Sequence, residues 1–495
     1  MKINLHPEND YVFYETEIDR ALDWLYRIRD EERKGWAWVQ FIRPNEQNTA
    51  EVVLAYAEND AWFDRNPEKL DAIMESIDYW LIDTSHASIS IDYCWVARAL
   101  QVVRANPRFM AHLDAARVQR AIDDCLTWLQ ENQIFITHPA DAVGWGDNSE
   151  EIPNVIRTAL ALLCFQEELT YLKTRPAEEQ GRVSGYEEVA EKACTWLLAS
   201  QNKDGGWGNL DAGMITQEYQ RTHSFSYEDL KHQCDSNPAS TGYVVLALAR
   251  YRQSGEEAAL KRACEYLIQA QEANGAWEVF TEIGVRNGER YTFRHFGTTW
   301  ALQGLMQSGL ADYRDEVIIH GFAYLSHLQD ENYGGWKSSP DADNYTWATC
   351  NALSTINMLK DDLAQVHAGS FLSIVWDWWS LRKKDANFSF NLGGLVFAFN
   401  GTMALSFCIV FSVMITLILF FVFSFTDPIL SQQSENLRKL VYSTLTVISA
   451  VVLGLPWIVY VKNRFRSETP DWIESIGWVY GIITGFVLVF YQFIL

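Results

Sequence analysis

Residues 196–208 read WLLASQNKDGGWG, and the reading of this stretch decides the fold. Trp196 and Leu197 sit late in an apolar helical run, Gln201 follows, Gly205 and Gly206 interrupt the helix, and Trp207 comes next. A glutamine at a helix end can bond carbonyls that lack a helical partner, and glycine permits the left-handed turn that ends the helix. The indole is then expected to fill the gap between neighbouring units. The same order recurs in QEANGAWE (271–278), in QDENYGGWK (329–337) and in RDEERKGW (29–36), where Arg29 takes the place of the glutamine.

Outward from this motif, aromatic-Leu pairs occur at Trp24-Leu25, Trp80-Leu81, Trp128-Leu129, Trp196-Leu197, Tyr266-Leu267 and Tyr324-Leu325. Intervals of roughly 50 to 70 residues mark stacked units, none of which buries its apolar face alone. The third unit has Gln133 and delays its Trp145 by an insertion; the second has Ser85 and no tryptophan. Each turn leads into a second helix that opens on a small or hydroxyl residue: NTAEVVLAYA, DYCWVARALQVV, RTALALLCF, STGYVVLALARY, GTTWALQGLM and ATCNALSTINML. Helices of the first kind carry more charge, so an outer and an inner ring is expected.

The expected fold class is all-α, an (α/α)6 toroid of six helical-hairpin repeats followed by three transmembrane helices. Long helical periods and polar loops account for residues 15 to 360 without strands. Domain limits of 1–375 for the toroid, 376–400 for an interfacial linker and 401–495 for the membrane domain follow.

No charged residue occurs from Ala386 to Thr426, from Leu440 to Val461 or from Ser475 to Leu495. About 20 apolar residues cross a bilayer, so one span is expected from about Met403 to Phe425 and one in each later run. Phe388 to Phe399 is too short to cross and reads as interfacial or re-entrant. Arg382, Lys383, Lys384, Lys462, Arg464 and Arg466 lie on one side of these spans, against Arg438 and Lys439 on the other. That bias places the toroid in the cytoplasm and the C-terminus across the membrane. Gly477, Gly481 and Gly485 recur every fourth residue in the last span, a stripe that lets a helix pack closely on another, in the same chain or in a homo-oligomer.

A formal net charge of −24 excludes nucleic acid as a partner over most of the surface. The cysteines form no C-x-x-C pair, mostly lie on apolar helix faces and read as small core residues.

The Gln-to-Trp turns and inner-helix pattern resemble the prenyltransferase and squalene-cyclase repeat superfamily over residues 15 to 360, best at QNKDGGWG, NPASTGYVVLAL and RHFGTTWALQGL. That resemblance implies an (α/α)6 barrel with a central cavity. Class II terpene cyclases carry a DxDDTA motif whose middle Asp protonates an alkene. The similar string here, SPDADNYTWATCNAL, puts Asp343 at the acid position with Asp341 beside it, while Asn344 replaces the final Asp and Tyr345 precedes Thr346. Protein prenyltransferases hold zinc through an Asp-x-Cys pair and a distant His, matched by Asp92, Cys94 and His295. Those three fall in the second and fifth units, on different sides of a toroid, so no metal is expected; nor is any cofactor.

Inner helices that start near Asn48, Asp92, Asn154, Asp235, His295 and Asp343 would ring one mouth with polar residues and free helix N-termini. Asp92, Tyr93, Asp235, Tyr243, Arg294, His295, Tyr345 and Trp347 are the candidate ligand-binding residues, though the plainer reading makes Asp235 or Ser236 a helix cap in a surface loop and each aromatic a core residue. Two functions fit. One is a membrane-anchored, terpenoid cyclase-like or prenyltransferase-like toroid that takes an isoprenoid or other lipid-like ligand, with Asp343 as acid if it turns over. The other is a sensor-effector in which ligand or partner binding drives the spans to oligomerise or perturb the bilayer.

Overall fold

The computed structural model describes residues 7–39, 42–137, 139–147, 152–176, 181–214, 230–251, 256–286, 289–311, 315–367, 387–392 and 395–400. Helices alternate between two rings. The outer ring comprises α1 (Pro7–Arg27), α3 (Leu70–Ser76, continued by the π-helical turn Ile77–Ile82), α5 (Ala115–Glu131), α7 (Val183–Ala199), α9 (Glu257–Gln269) and α11 (Glu316–His327). The inner ring comprises α2 (Glu46–Glu58), α4 (Ser90–Ala105), α6 (Val155–Lys173), α8 (Pro238–Tyr251), α10 (Gly297–Ser308) and α12 (Thr346–His367). Burial separates them as the charge pattern implies. Every residue of α8 from Pro238 to Ala249 is buried, whereas α9 buries Ala259, Ala263, Cys264 and Leu267, one stripe at helical spacing.

The repeated Leu, Trp and Thr have one physical cause. In the fourth unit the Trp207 indole donates to the Leu197 carbonyl at 2.6 Å, and the Trp207 backbone N–H donates to Thr241 Oγ1 at 2.9 Å. The indole of Trp36 bonds Leu25, that of Trp145 bonds Leu129, that of Trp277 bonds Leu267 and that of Trp336 bonds Leu325. Their amides donate to Thr49, Thr158, Thr298 and Thr349 in the same order. Each tryptophan therefore locks the outer helix of its own unit to the inner one. The second unit, which has no such tryptophan, also has Tyr93 where the threonine would stand.

The indole reaches the neighbouring unit at Trp277, whose ring would lie 2.9 Å from a Cβ on Gly321 of α11, and the next unit's aromatic also packs against the turn. A Cβ on Gly35, Gly144, Gly206 or Gly335 would come within 2.5 to 3.1 Å of Trp80, Trp196, Tyr266 or Trp24 respectively. The glutamines complete the junction. Gln201 Nε2 donates to the Gly205 carbonyl of its own turn and to the Ala259 carbonyl of the next outer helix; Gln271 does the same to Gly275 and Val317. Arg29 substitutes by reaching Ser76 at the end of α3. Gly205 and Gly275 have φ of +93° and +91°, and each presses on a carbonyl of the following outer helix, so a side chain there meets both strain and a clash.

The ring closes. Gln329 Nε2 donates to Glu17 in α1, Arg20 donates to the Asp330 carbonyl, and Thr346 bonds the carbonyls of Ala37 and Trp38. Round the inner ring, Asn106 after α4 reaches Ala57 of α2, Gln101 reaches Cys164 of α6, Gln166 reaches Ala247 of α8, Gln303 reaches Thr355 of α12, and Ser354 returns to Glu58 of α2. Between α8 and α10 glycine replaces hydrogen bonds: a Cβ on Gly242 would fall 2.3 Å from the Trp300 carbonyl oxygen. The buried free thiols Cys94, Cys125, Cys164, Cys194, Cys264 and Cys350 pack within this framework.

The strand-free expectation fails. Ile134–Ile136 (β1) pairs antiparallel with Ala142–Gly144 (β2), and Phe280–Arg286 (β3) with Glu289–His295 (β4). The first hairpin is the insertion that delays Trp145. The second flanks Asn287-Gly288, the residue pair best suited to a two-residue hairpin connection, with alternating polar and apolar residues on both sides.

Two compact units divide the chain, Met1–Ala364 and Gln365–Leu495. In the second, Asn387–Leu392 (β5) pairs antiparallel with Leu395–Asn400 (β6), so the stretch read as interfacial or re-entrant is a backbone hairpin. Among the described residues no helix is long and apolar enough to cross a membrane. The three expected spans, with Gly477, Gly481 and Gly485, lie outside the described residues.

Candidate functional site

The register set by the threonines places one stripe of each inner helix toward the axis. Two residues beyond Thr49, Thr241, Thr298 and Thr349 stand Glu51, Tyr243, Trp300 and Asn351, and all four line one cavity. Gln47 and Trp347, one helical turn earlier, join them on α2 and α12, as does Ile91 on α4. The connecting segments supply Trp38, Phe293, Arg294 and His295. The cavity lies at the N-terminal end of the inner helices and has a volume of about 30 Å³.

Its wall is graded. Glu51, Ile91, Tyr243, His295 and Trp300 are buried, Trp38, Phe293 and Trp347 are half-buried, and Arg294 is exposed at the rim. Tyr243 and Trp300 stack at 3.5 Å between ring centroids, and Trp38 meets Phe293 edge-on at 4.5 Å. Glu51 Oε1 accepts from Gln47 Nε2 at 3.0 Å. Burial pushes the Glu51 carboxyl up to about 8, against the Gln47 amide and the charge of Arg98, which pull it down. It is a largely neutral acid at pH 7.

Behind His295 runs a buried ionic chain. His295 Nε2 lies 3.0 Å from Glu282 Oε2, and Glu282 Oε1 accepts from Arg157 Nη1 at 2.7 Å and from Asn154 Nδ2 at 3.0 Å. Arg157 Nε donates in turn to Asp147. Burial alone would raise the Glu282 carboxyl; the Arg157 guanidinium, with His295 and Asn209, outweighs it and holds the group at about 2. The chain ties α6 to the β3–β4 hairpin and so fixes the ring of His295 at the cavity wall.

Of the candidates read from sequence, Tyr243, Arg294, His295 and Trp347 come together in this wall. The rest do not. Asp341 and Asp343 are exposed and absent from it. Asp92 is occupied at the start of α4, where its carboxylate accepts from the amides of Ser88 and Ile89. Tyr93 stacks on Trp128 at 4.2 Å and donates to the Ala87 carbonyl. Asp235 is exposed, and the cap of α8 is Asn237, which accepts from the amide of Ser240. Tyr345 stacks on Trp347 behind the wall. Among the described residues no group of three or more His, Cys, Asp or Glu is arranged to hold a metal ion.

Glu51, Gln47, Asn351, Trp38 and Phe293 were missed, as was Glu282 with its partner Arg157. The first three were findable by aligning the repeats on their threonines. Glu282 required the hairpin, and Arg157 stood out as a charge inside RTALALLCF.

Fold and wall together define a single α-α toroid with an aromatic-lined cavity at the mouth of its inner ring. The squalene-hopene cyclase C-terminal domain family matches residues 153–357, and the prenyltransferase alpha-alpha toroid domain family matches residues 289–436. Each match covers less than half of the chain, and together they support the prenyltransferase and class II terpene cyclase repeat superfamily. The squalene-hopene cyclase of Zymomonas mobilis is 24% identical over 247 residues, 47% of this chain and 34% of that protein. The squalene hopane cyclase of Aspergillus fumigatus is 23% identical over 344 residues, 55% of this chain and 42% of that protein. The chain thus spans less than half the length of these relatives. Among solved structures, an α-1,6-mannanase of Salegentibacter superposes with a TM-score of 0.48 at 11% identity, covering 70% of this chain and 98% of that one, too loose a likeness to carry an argument.

Proposed function

We propose that the protein is a membrane-anchored toroid that binds an isoprenoid or other lipid-like ligand at the aromatic cavity, and that it serves as a receptor for that ligand without cyclising it. One observation carries this reading. The cavity wall unites five aromatic side chains with a single buried carboxyl, while the aspartates in the acid-like string are exposed outside it. Alkene protonation calls for a strong acid next to the substrate. Glu51, held near 8, is a weak one. The relatives named above are cyclases, which supports an isoprenoid as the ligand class, and the uncharged runs after Ala386 support the anchor.

The test is mass spectrometry of lipids co-purified with the full chain, paired with incubation of linear isoprenoids with membranes that contain it. Bound isoprenoid without cyclic product is the expected result. Product that disappears in Asp343→Asn would restore the enzymatic reading.

A second reading is favoured by the Gly477, Gly481 and Gly485 stripe. There the ligand signal is passed on by association of the last span. Gly481→Leu should then abolish oligomerisation in membranes and leave ligand binding intact.

A further inference from the structure

We infer that Glu51 is the recognition group for a neutral oxygen function, the hydroxyl, carbonyl or ether oxygen of an otherwise apolar ligand, to which its carboxyl donates a hydrogen bond. The inference deepens the ligand-binding reading above and rests on it.

Geometry comes first. On α2, Glu51 occupies the register position that Tyr243 and Trp300 occupy on α8 and α10, so a carboxyl replaces an aromatic ring at one point of the wall. Its residue exposure is 3%, Oε1 is taken by Gln47, and Oε2 has no hydrogen-bond partner among the described residues. A buried oxygen in that condition is costly unless a ligand or water meets it.

The surrounding groups decide which ligand. Gln47 faces Glu51 from its own helix, Arg98 from α4, Tyr243 from α8, Arg294 and His295 from β4, and Cys350 and Asn351 from α12. Arg98 pulls the carboxyl down, but among the described residues it makes no ion pair with Glu51 and burial is the larger effect; its guanidinium lies over the Trp95 ring at 4.9 Å, with Nε 4.0 Å from Glu167. Without an ion pair, burial keeps the proton on the carboxyl, and a protonated carboxyl is a donor. A cationic ligand would meet Arg98 nearby and Arg294 at the rim, two like charges. An anionic one would meet a carboxyl that must stay neutral beside it. A neutral acceptor meets neither penalty.

Size limits how the ligand enters. A volume of about 30 Å³ takes a group the size of one or two waters, hence the oxygen head and not a long chain. The half-buried faces of Trp38, Phe293 and Trp347 stand at the rim, where the first isoprene unit would rest.

Binding of geranyl methyl ether, geranylamine, an oxygen-free geranyl hydrocarbon and cyclohexanone to the full chain, followed by tryptophan fluorescence at about pH 6.5 and about pH 9.5, tests this. The ether, whose oxygen only accepts, should bind best at the lower pH and weaken roughly tenfold at the higher, as the donor is lost. Glu51→Gln keeps a donor and should bind the ether equally at both pH values. Glu51→Leu, close in volume and free of any buried polar cost, should lose roughly tenfold at both. Preference for geranylamine, with loss in Glu51→Gln, would overturn the inference in favour of a carboxylate that recognises a cation. Equal binding of the ether and the hydrocarbon, unaffected by Glu51→Leu, would overturn it and leave the ligand-binding reading standing. If no isoprenoid binds but cyclohexanone binds in a Glu51-dependent way, the isoprenoid reading falls and the role of Glu51 survives.

Discussion

The side-chain amide of Gln329 donates to the backbone carbonyl of Glu17, 312 positions earlier in the chain, at 2.9 Å. The same amide bonds the Gly334 carbonyl of its own turn, so a single nitrogen joins the last unit to the first. Gln201 and Gln271 make the equivalent pair of bonds between units adjacent in sequence. Closure of the toroid therefore uses no special device. The interface between the ends is another copy of the interface within.

Gln329→Leu should cost about 1–3 kcal/mol, because two buried carbonyls lose their donor. Gln201→Leu should cost a similar amount, measured by urea denaturation of both variants. If the ends were merely apposed, Gln329→Leu would leave the midpoint unchanged while Gln201→Leu lowered it.

Thr241→Val keeps the shape of the side chain and removes the acceptor of the Trp207 amide, and should destabilise by about 1–3 kcal/mol. Combined with Trp207→Phe, which removes the bond to Leu197, it should cost less than the sum of the two single changes, since both act on one lock. Additive losses in a double-mutant cycle would argue against the shared role.

Gly242→Ala should be more harmful than its single methyl suggests. The new Cβ would sit 2.3 Å from the Trp300 carbonyl oxygen, so α8 and α10 must separate, at a cost of about 1–3 kcal/mol or more. Because Tyr243 and Trp300 stack across that contact, the near-ultraviolet circular dichroism of the folded protein should change as well.

Glu282 and Glu51 set opposite pH dependences. Glu282 is held at about 2 against an ordinary 4.5, so its contribution is present above 4.5 and is lost as pH falls toward 2. Glu282→Gln should therefore be most damaging near neutrality and lose its effect in acid. Glu51 is raised to about 8, so the folded state holds a proton that the unfolded chain releases at 4.5, and stability declines as pH climbs from 4.5 to 8. Glu17, raised to about 7, declines over an overlapping window, so the difference between wild type and Glu51→Gln isolates the Glu51 share. A difference that does not vary with pH would mean that Glu51 is already ionised in the fold.

Removal of Arg157 should be the severest of these changes. Arg157→Met leaves Asp147 and Glu282 buried without their cation, which costs about 3–5 kcal/mol when one partner of a buried pair is deleted. Restoration of stability by a further Glu282→Gln would tie the loss to the charge; no restoration would point to packing.

The repeat, the two rings and the turn chemistry were legible in the amino-acid order because each depends on residues close in sequence. Gln201, Gly205 and Trp207 lie within one turn of chain, and a helix that must be buried all round declares itself by composition, as STGYVVLALARY does. Superfamily likeness followed from the same local strings. The cavity was not legible to the same degree. Its wall collects Trp38, Glu51, Phe293 and Asn351 from segments far apart, and which face of an inner helix turns inward depends on the hydroxyl that holds the neighbouring tryptophan. Asp343 looked like an acid because its string resembled one, yet exposure to water is set by where the loop before α12 lies in space. The period along the chain determined the units; only their closure into a ring buried Glu51 among side chains of distant segments, where loss of water outweighs the pull of Arg98 and raises its carboxyl.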